Sequence, residues 1–291
     1  GFHSIWFVDH MWSRGLPDLD HLEAWTLMSA IAAVTERLGI GTLVLCNSYR
    51  NPALLAKMAS SLDQISNGRF LLGLGAGWMD EEYRAYGYPF PAVRVRIEQL
   101  EEALAIIKLL FKESRATFQG KYYAVNDAVN NPKPQQQPHP PILIGGAGEK
   151  RLLRLVAEHA DIWNCPNNAA LELEHKLEVL KQHCAAFGRD PATIEVSEQT
   201  IVVLGRTEKE LRSQLQPQDR AAHEQLGCHL VHRGAIGDLV DVHPDQAHVV
   251  RERHPGQADV LVAESRPDGR PLQVRQQIRV REHHSLRAAG R

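Results

Sequence analysis

Four cysteines in 291 residues, with no CxxC pair among them, leave little for a disulfide framework or a zinc knuckle to use. Cys46, Cys165, Cys184 and Cys228 stand far apart, which predicts free thiols and a cytoplasmic setting. No run approaches the ~18 apolar residues of a membrane span. The formal net charge of −2 gives no basic excess for a nucleic acid or a membrane surface, so neither partner is expected. GFHSIWFVDH at the start has no basic leader and reaches Asp9 too soon for a signal peptide. Aromatic residues are absent beyond Phe187 and lysine beyond Lys209. Residues 227–291 carry ten arginines, eight acidic residues and seven of the fifteen histidines. Large cores are usually built with aromatics, so this end is a weak candidate for the core that the rest builds.

What is present is ordinary for a folded domain. The chain is 43% hydrophobic and 23% charged, which excludes disordered, collagenous and mucin-like classes. Its length suits one large domain or two small ones. Short apolar runs alternate with amphipathic stretches. Strands are predicted at 4–8, 39–45, 69–75, 141–144, 161–164 and 194–204. Helices are predicted at 25–38, 52–65, 97–111, 149–159 and 173–187, and a small hairpin at 116–125 turns at Gln119-Gly120. Asn51-Pro52 is a helix start and Asn67-Gly68 a stop. Such alternation predicts an α/β fold with a parallel sheet, either doubly wound or a (β/α)8 barrel.

In both architectures ligands gather at the C-terminal ends of the strands. Four stretches fall there. Asp9-His10 follows the first strand, and a histidine so placed can serve as acid or base; a surface histidine beside a capping aspartate would look the same. Cys46-Asn47-Ser48-Tyr49-Arg50 follows the second, where small polar groups could touch a ring or phosphate, or form a plain turn. Gly73-Leu-Gly-Ala-Gly77 follows the third. It is not the dinucleotide fingerprint, because Trp78 stands where a glycine is needed, but it permits close approach of a flat ligand. Gly145-Gly-Ala-Gly148 precedes a helix and offers bare amides to an anion, with Glu149 as a competing charge. Glu101-Glu102 reads as the solvated face of a helix. His283-His284 lacks a third ligand, so no metal site is assigned.

In order along residues 1–215, the stretches GFHSIWFVDH, EAWTLMSAIAAVTERLGIGTLV, YRNPALLAKMASSLDQISNGRFLLGLGAGW, EEYRAYGYPFP, RIEQLEEALAIIKLLF, FQGKYYAV and PPILIGGAGEKRLLRLVAEHADIWN resemble the bacterial luciferase-like flavin monooxygenase superfamily, most closely its F420-dependent oxidoreductases. The resemblance implies a (β/α)8 TIM barrel over residues 1–225. It implies His10 as catalytic acid or base and Asp9 beside the redox ring. It also implies a strand bulge with a non-proline cis peptide near Leu43-Val44, and Cys46 and Ser48 lining the pocket. Gly75, Ala76 and Gly77 would run close to the cofactor, and Gly145, Gly146, Ala147 and Gly148 would hold its phosphate. Hydride transfer between coenzyme F420 and a small organic substrate is the implied reaction. The alternatives are an FMN-dependent monooxygenase using oxygen, and a truncated or non-catalytic cofactor-binding barrel. A homodimer is the assembly implied.

The chain departs from the resembled pattern at both ends. The likeness starts at what would be the second strand, so the barrel is expected to lack its first βα unit. After about Gln225 the arginine- and histidine-rich segment 226–291 replaces the expected ending. A shifted reading frame near Glu224–Arg233 would account for it.

Overall fold

The computed structural model describes residues 3–12, 18, 20–202, 204–205, 231–232, 247–252, 257–260 and 278–281. Strand β1 (Ser4–Phe7) leads to helix α1 (Ala24–Val34), then β2 (Gly39–Thr42) and the short β3 (Leu45–Cys46). Helix α2 (Pro52–Ile65), β4 (Phe70–Gly75), the six-residue α3 (Asp80–Ala85) and the long α4 (Val93–Lys112) follow. A hairpin of β5 (Ala116–Gln119) and β6 (Ala124–Ala128) precedes β7 (Ile142–Gly145), α5 (Leu152–His159), β8 (Ile162–Cys165), α6 (Leu173–Ala186) and β9 (Glu195–Val202). Beyond these lie β10 (Leu204–Gly205) with β11 (Val231–His232), β12 (Ala247–Glu252), and β13 (Gln257–Val260) with β14 (Ile278–Arg281).

The main sheet runs β1-β2-β4-β7-β8-β9-β12, with β3 also on β4. Within this sheet every pairing from β1 to β9 is parallel. This is an α/β fold built on a parallel half-barrel. The described part of the 226–291 segment adds β12 antiparallel to β9, which ends the parallel series. The expected frame change at 224–233 lies almost wholly outside the described residues. Central strands read as continuous apolar runs because both faces are covered. Ile40, Phe70, Leu72, Leu74, Ile142, Leu143, Ile144 and Trp163 are all fully buried. No helix among the described residues is long and apolar enough to cross a membrane.

Local chemistry sets the element boundaries. Glu23 caps α1 by accepting from the amides of Trp25 and Thr26 at 3.0 and 2.7 Å. Asn51 caps α2 through Ala53 N at 2.9 Å, with Pro52 in the first turn, as the sequence predicts. Helix α1 stops at Val34 and not at Leu38. The Arg69 guanidinium collects the carbonyls of Ala32, Thr35 and Leu38, acceptors left open where the helix ends.

Glu102 also departs from expectation. It is not a solvated helix residue: its carboxylate accepts from the amides of Lys121, Tyr122 and Tyr123 at 2.7, 2.9 and 2.9 Å, and so fixes the hairpin turn onto α4. The turn spans Gly120–Tyr123, slightly beyond the predicted Gln119-Gly120.

Between β2 and β3 the sheet changes register. Ile40 pairs with Phe70, an offset of 30, whereas Leu45 pairs with Leu74, an offset of 29. One residue is therefore extra on the β2–β3 side, a bulge that contains Leu43 and Val44. The Leu43–Val44 peptide is cis.

Candidate active site at the C-terminal edge of the sheet

Parallel order places the ends of β1, β3, β4 and β7 side by side, so the four sequence stretches meet at one edge. Asp9 is buried. Its carboxylate accepts from Cys46 N at 2.8 Å and takes a bidentate pair from Arg50 at 2.7 and 3.0 Å. Arg50 also donates to Glu23 at 2.7 Å. Burial alone would lower the Arg50 pKa, but Asp9 and Glu23 hold it above its ordinary value. Asp9 thus ties β1 to the turn after β3, and its oxygens are already engaged.

His10 Nδ1 lies 2.9 Å from Glu82 Oε2. The histidine side chain is 25% exposed and the glutamate 1%, so one partner meets solvent and the other is sealed. Glu82 also accepts from Met11 N at 2.8 Å and from the Tyr49 hydroxyl at 3.0 Å. The Trp78 ring meets the His10 ring edge to face, with centroids 5.6 Å apart. His21 stands nearby, its pKa lowered first by burial and then by His10.

Cys46 and Ser48 are joined through Tyr83. Cys46 Sγ is 3.0 Å from the Tyr83 hydroxyl, which donates to Ser48 Oγ at 2.9 Å. Burial pushes the Cys46 thiol up to about 11, so it is neutral near pH 7 and is no thiolate nucleophile. Burial likewise raises the Tyr83 and Tyr49 hydroxyls. Cys46, Cys165 and Cys184 are free and buried; Cys228 lies outside the described residues.

The glycines serve mainly their protein neighbours. A Cβ on Gly73 would lie 1.7 Å from Thr42 O, and the Thr42 hydroxyl exchanges two hydrogen bonds with the Gly73 backbone. A Cβ on Gly75 would meet Val44 Cγ2 at 2.7 Å, and one on Gly145 would meet Val44 Cγ1 at 2.9 Å. Val44 thus sits between β4 and β7, and three of the expected positions touch through it. Gly77 has φ +77°, with the Tyr83 hydroxyl 2.0 Å from where its Cβ would be. Ala76 packs against the core between them.

At the end of β7, Gly146 has φ +129° and leaves room for Leu152. Its carbonyl accepts from Trp163 Nε1 at 2.7 Å. Helix α5 begins at Leu152, three residues later than predicted, with Glu149–Arg151 forming a turn first. Among the described residues the amides of Ala147 and Gly148 meet no acceptor. Glu149 does not stand as an isolated charge. Lys176 and His175 pair with it, and the Lys176 hydrogen bond is the main influence lowering its pKa.

Glu82 and Tyr83 are residues that sequence reasoning left without a role, while Tyr49 and Arg50 entered it only as part of the stretch after the second strand. Glu82 and Tyr83 lie in EEYRAYGYPFP, within a helix too short to show periodicity.

Residues 1–287 match the luciferase-like monooxygenase family. The chain belongs to that family. An F420-dependent glucose-6-phosphate dehydrogenase of Kineococcus radiotolerans is 32% identical over 198 residues, 67% of this chain and 58% of its own length. An FMNH2-dependent dimethylsulfone monooxygenase of Pseudomonas putida is 30% identical over 194 residues, 66% of this chain and 52% of its own. The luciferase-like chain therefore spans little more than half the length of these curated relatives. An F420-dependent secondary alcohol dehydrogenase, solved with an F420–acetone adduct, superposes with a TM-score of 0.68 at 24% identity, over 80% of this chain and 70% of that one. Its likeness establishes the fold, and the two sequence relatives place both cofactor types among the similar proteins.

Proposed function

We propose that this luciferase-like protein transfers a hydride between coenzyme F420 and a small organic substrate, with residues 1–225 as the barrel domain. One observation carries the reading: a histidine seated on a buried carboxylate shares a sheet edge with a glycine loop whose Ala147 and Gly148 amides meet no acceptor among the described residues. The loop fits an anionic tail. Ala147 and Gly148 offer N–H groups, Gly145 and Gly146 shape the backbone, and Lys176 offsets the charge of Glu149. Leu43, Val44, Cys46, Ser48 and Gly75–Gly77 would line the ring end. Asp9, its oxygens taken by Arg50 and Cys46 N, would shape that wall and not bond the ring.

When bound, the deazaflavin supplies a carbon that accepts or gives a hydride. His10 would take or return the accompanying substrate proton at a ring nitrogen, the kind of acid–base assistance worth roughly 10²–10⁴ in rate. The sheet edge would hold the reactants together, and burial would limit water. The neutral Cys46 thiol would line the pocket without acting as a nucleophile. The monooxygenase among the similar proteins favours a second reading, in which reduced FMN and oxygen replace F420.

Titration of the purified chain with F420 and with FMN separates these readings. Saturable F420 binding with hydride transfer is expected. FMN binding alone favours the second reading, and monodisperse protein that binds neither defeats both. His10→Ala should lower turnover at least 100-fold (~10²–10⁴) while cofactor affinity changes little; equal losses would remove the acid–base role.

A further inference from the structure

Glu82 is the most completely enclosed charged group at the mouth. It is 1% exposed, and its two oxygens receive three groups from two separate segments. Oε1 accepts from Met11 N at 2.8 Å, and Oε2 receives the Tyr49 hydroxyl at 3.0 Å and His10 Nδ1 at 2.9 Å. A carboxylate only accepts, so the nitrogen facing it must be the one that donates. We propose that Glu82 is a positioning residue for His10: it keeps the proton on Nδ1 and leaves Nε2 as the ring nitrogen that accepts a proton. The catalytic consequence rests on the function proposed above; the tautomer itself does not.

The surroundings support this assignment. Asp9, next to His10 in sequence, is occupied by Arg50 and cannot compete for the ring. Among the other titratable groups, Tyr49 approaches Glu82 from the β3 turn. His21 approaches from the segment before α1, bonded to the His10 backbone and kept below its ordinary pKa by burial. Trp78 holds the ring plane from the β4 loop.

Glu82→Gln tests the idea in a directed way. The Met11 amide can only donate, so it claims the glutamine carbonyl. The glutamine NH2 then faces His10 Nδ1 and the Tyr49 hydroxyl, both of which can accept. The His10 proton should move from Nδ1 to Nε2. Nitrogen-15 NMR of the imidazole, on protein without cofactor, reads this directly. The expected result is Nδ1–H in the wild type and in Tyr49→Phe, and Nε2–H in Glu82→Gln. With substrate and cofactor, Glu82→Gln should lower kcat about 10²–10⁴-fold with KM nearly unchanged, the loss expected when a base holds the wrong tautomer. Nε2–H in the wild type would overturn the proposal even if the variant does not fold. So would an unchanged tautomer in folded Glu82→Gln, or a switched tautomer with unchanged kcat. A wild type showing Nδ1–H that binds neither F420 nor FMN would instead defeat the functional reading and leave the tautomer assignment standing.

Discussion

The two sides of the sheet edge are made of different material. From β1 to β4, charged and hydroxylic side chains lock one another: Arg50 on Asp9, Glu82 on His10 and Tyr49, Tyr83 on Cys46 and Ser48. At β7 the edge is backbone, with glycines, a carbonyl held by Trp163, and amides with no acceptor among the described residues. The first side suits fixed placement of a reacting group, because each side chain is held by partners that are themselves held. The second suits a ligand that supplies its own charge, because N–H groups in a loop ask only for an anion. Mutation should therefore disturb folding on the first side and binding on the second.

Arg50→Ala should be the most damaging change. It strands Asp9 in a buried position without its cation, a loss of roughly 3–5 kcal/mol measurable by urea unfolding. A loss under 1 kcal/mol would mean that the β1–β4 side is less locked than its hydrogen bonds imply. Behind the β7 side the sensitive group is a histidine away from the mouth. Burial, then the Lys108 charge, lowers His159 to about 4, well below the ordinary histidine value of about 6.5. Its folded pKa is depressed, so the unfolded chain takes up the proton first. Stability should be full above pH 6.5 and fall by roughly 2–3 kcal/mol as pH drops through 4, and His159→Gln should flatten that part of the stability profile.

Gly77→Ala joins a positive φ to a clash with the Tyr83 hydroxyl and should cost roughly 1–3 kcal/mol, with Cys46 becoming easier to alkylate. Lys176→Met should change stability by less than about 1 kcal/mol. It should weaken cofactor binding several-fold, since Glu149 would then lose its lysine partner and repel the anion more strongly. Gly148→Ala should do least. Among the described residues its Cβ would meet only Leu152, at an ordinary 3.6 Å, so stability should stay within about 0.5 kcal/mol. If Gly148→Ala proved as harmful as Gly77→Ala, the contrast between the two sides would fail.

The elements and their order were legible because apolar periodicity and the Asn51-Pro52 and Asn67-Gly68 signals are local. What sequence reasoning missed depends on distant partners. Helix α1 ends early because Arg69, from beyond the next helix, takes its carbonyls. Glu102 looks solvent-facing until the hairpin folds back onto it. Glu82 has acidic neighbours on its own helix, and nothing in DEEYRA marks the third acid as the buried one. The position of the cis peptide came from resemblance alone, since no spacing in Thr42-Leu43-Val44-Leu45 announces it.

The extra residue between β2 and β3 has a consequence of parity. Strand side chains alternate faces, so a slip of one residue exchanges every inside position with its neighbour. With the bulge in place, Leu45 is fully enclosed and Cys46 reaches Tyr83. Were the extra residue paired regularly and not bulged out, Leu45 would fall opposite Gly75 and the two would trade places, sending the thiol into the apolar interior and the leucine toward the hydroxyls of Tyr83 and Ser48. The bulge is thus the point where the chain changes from counting out a core to counting out a mouth.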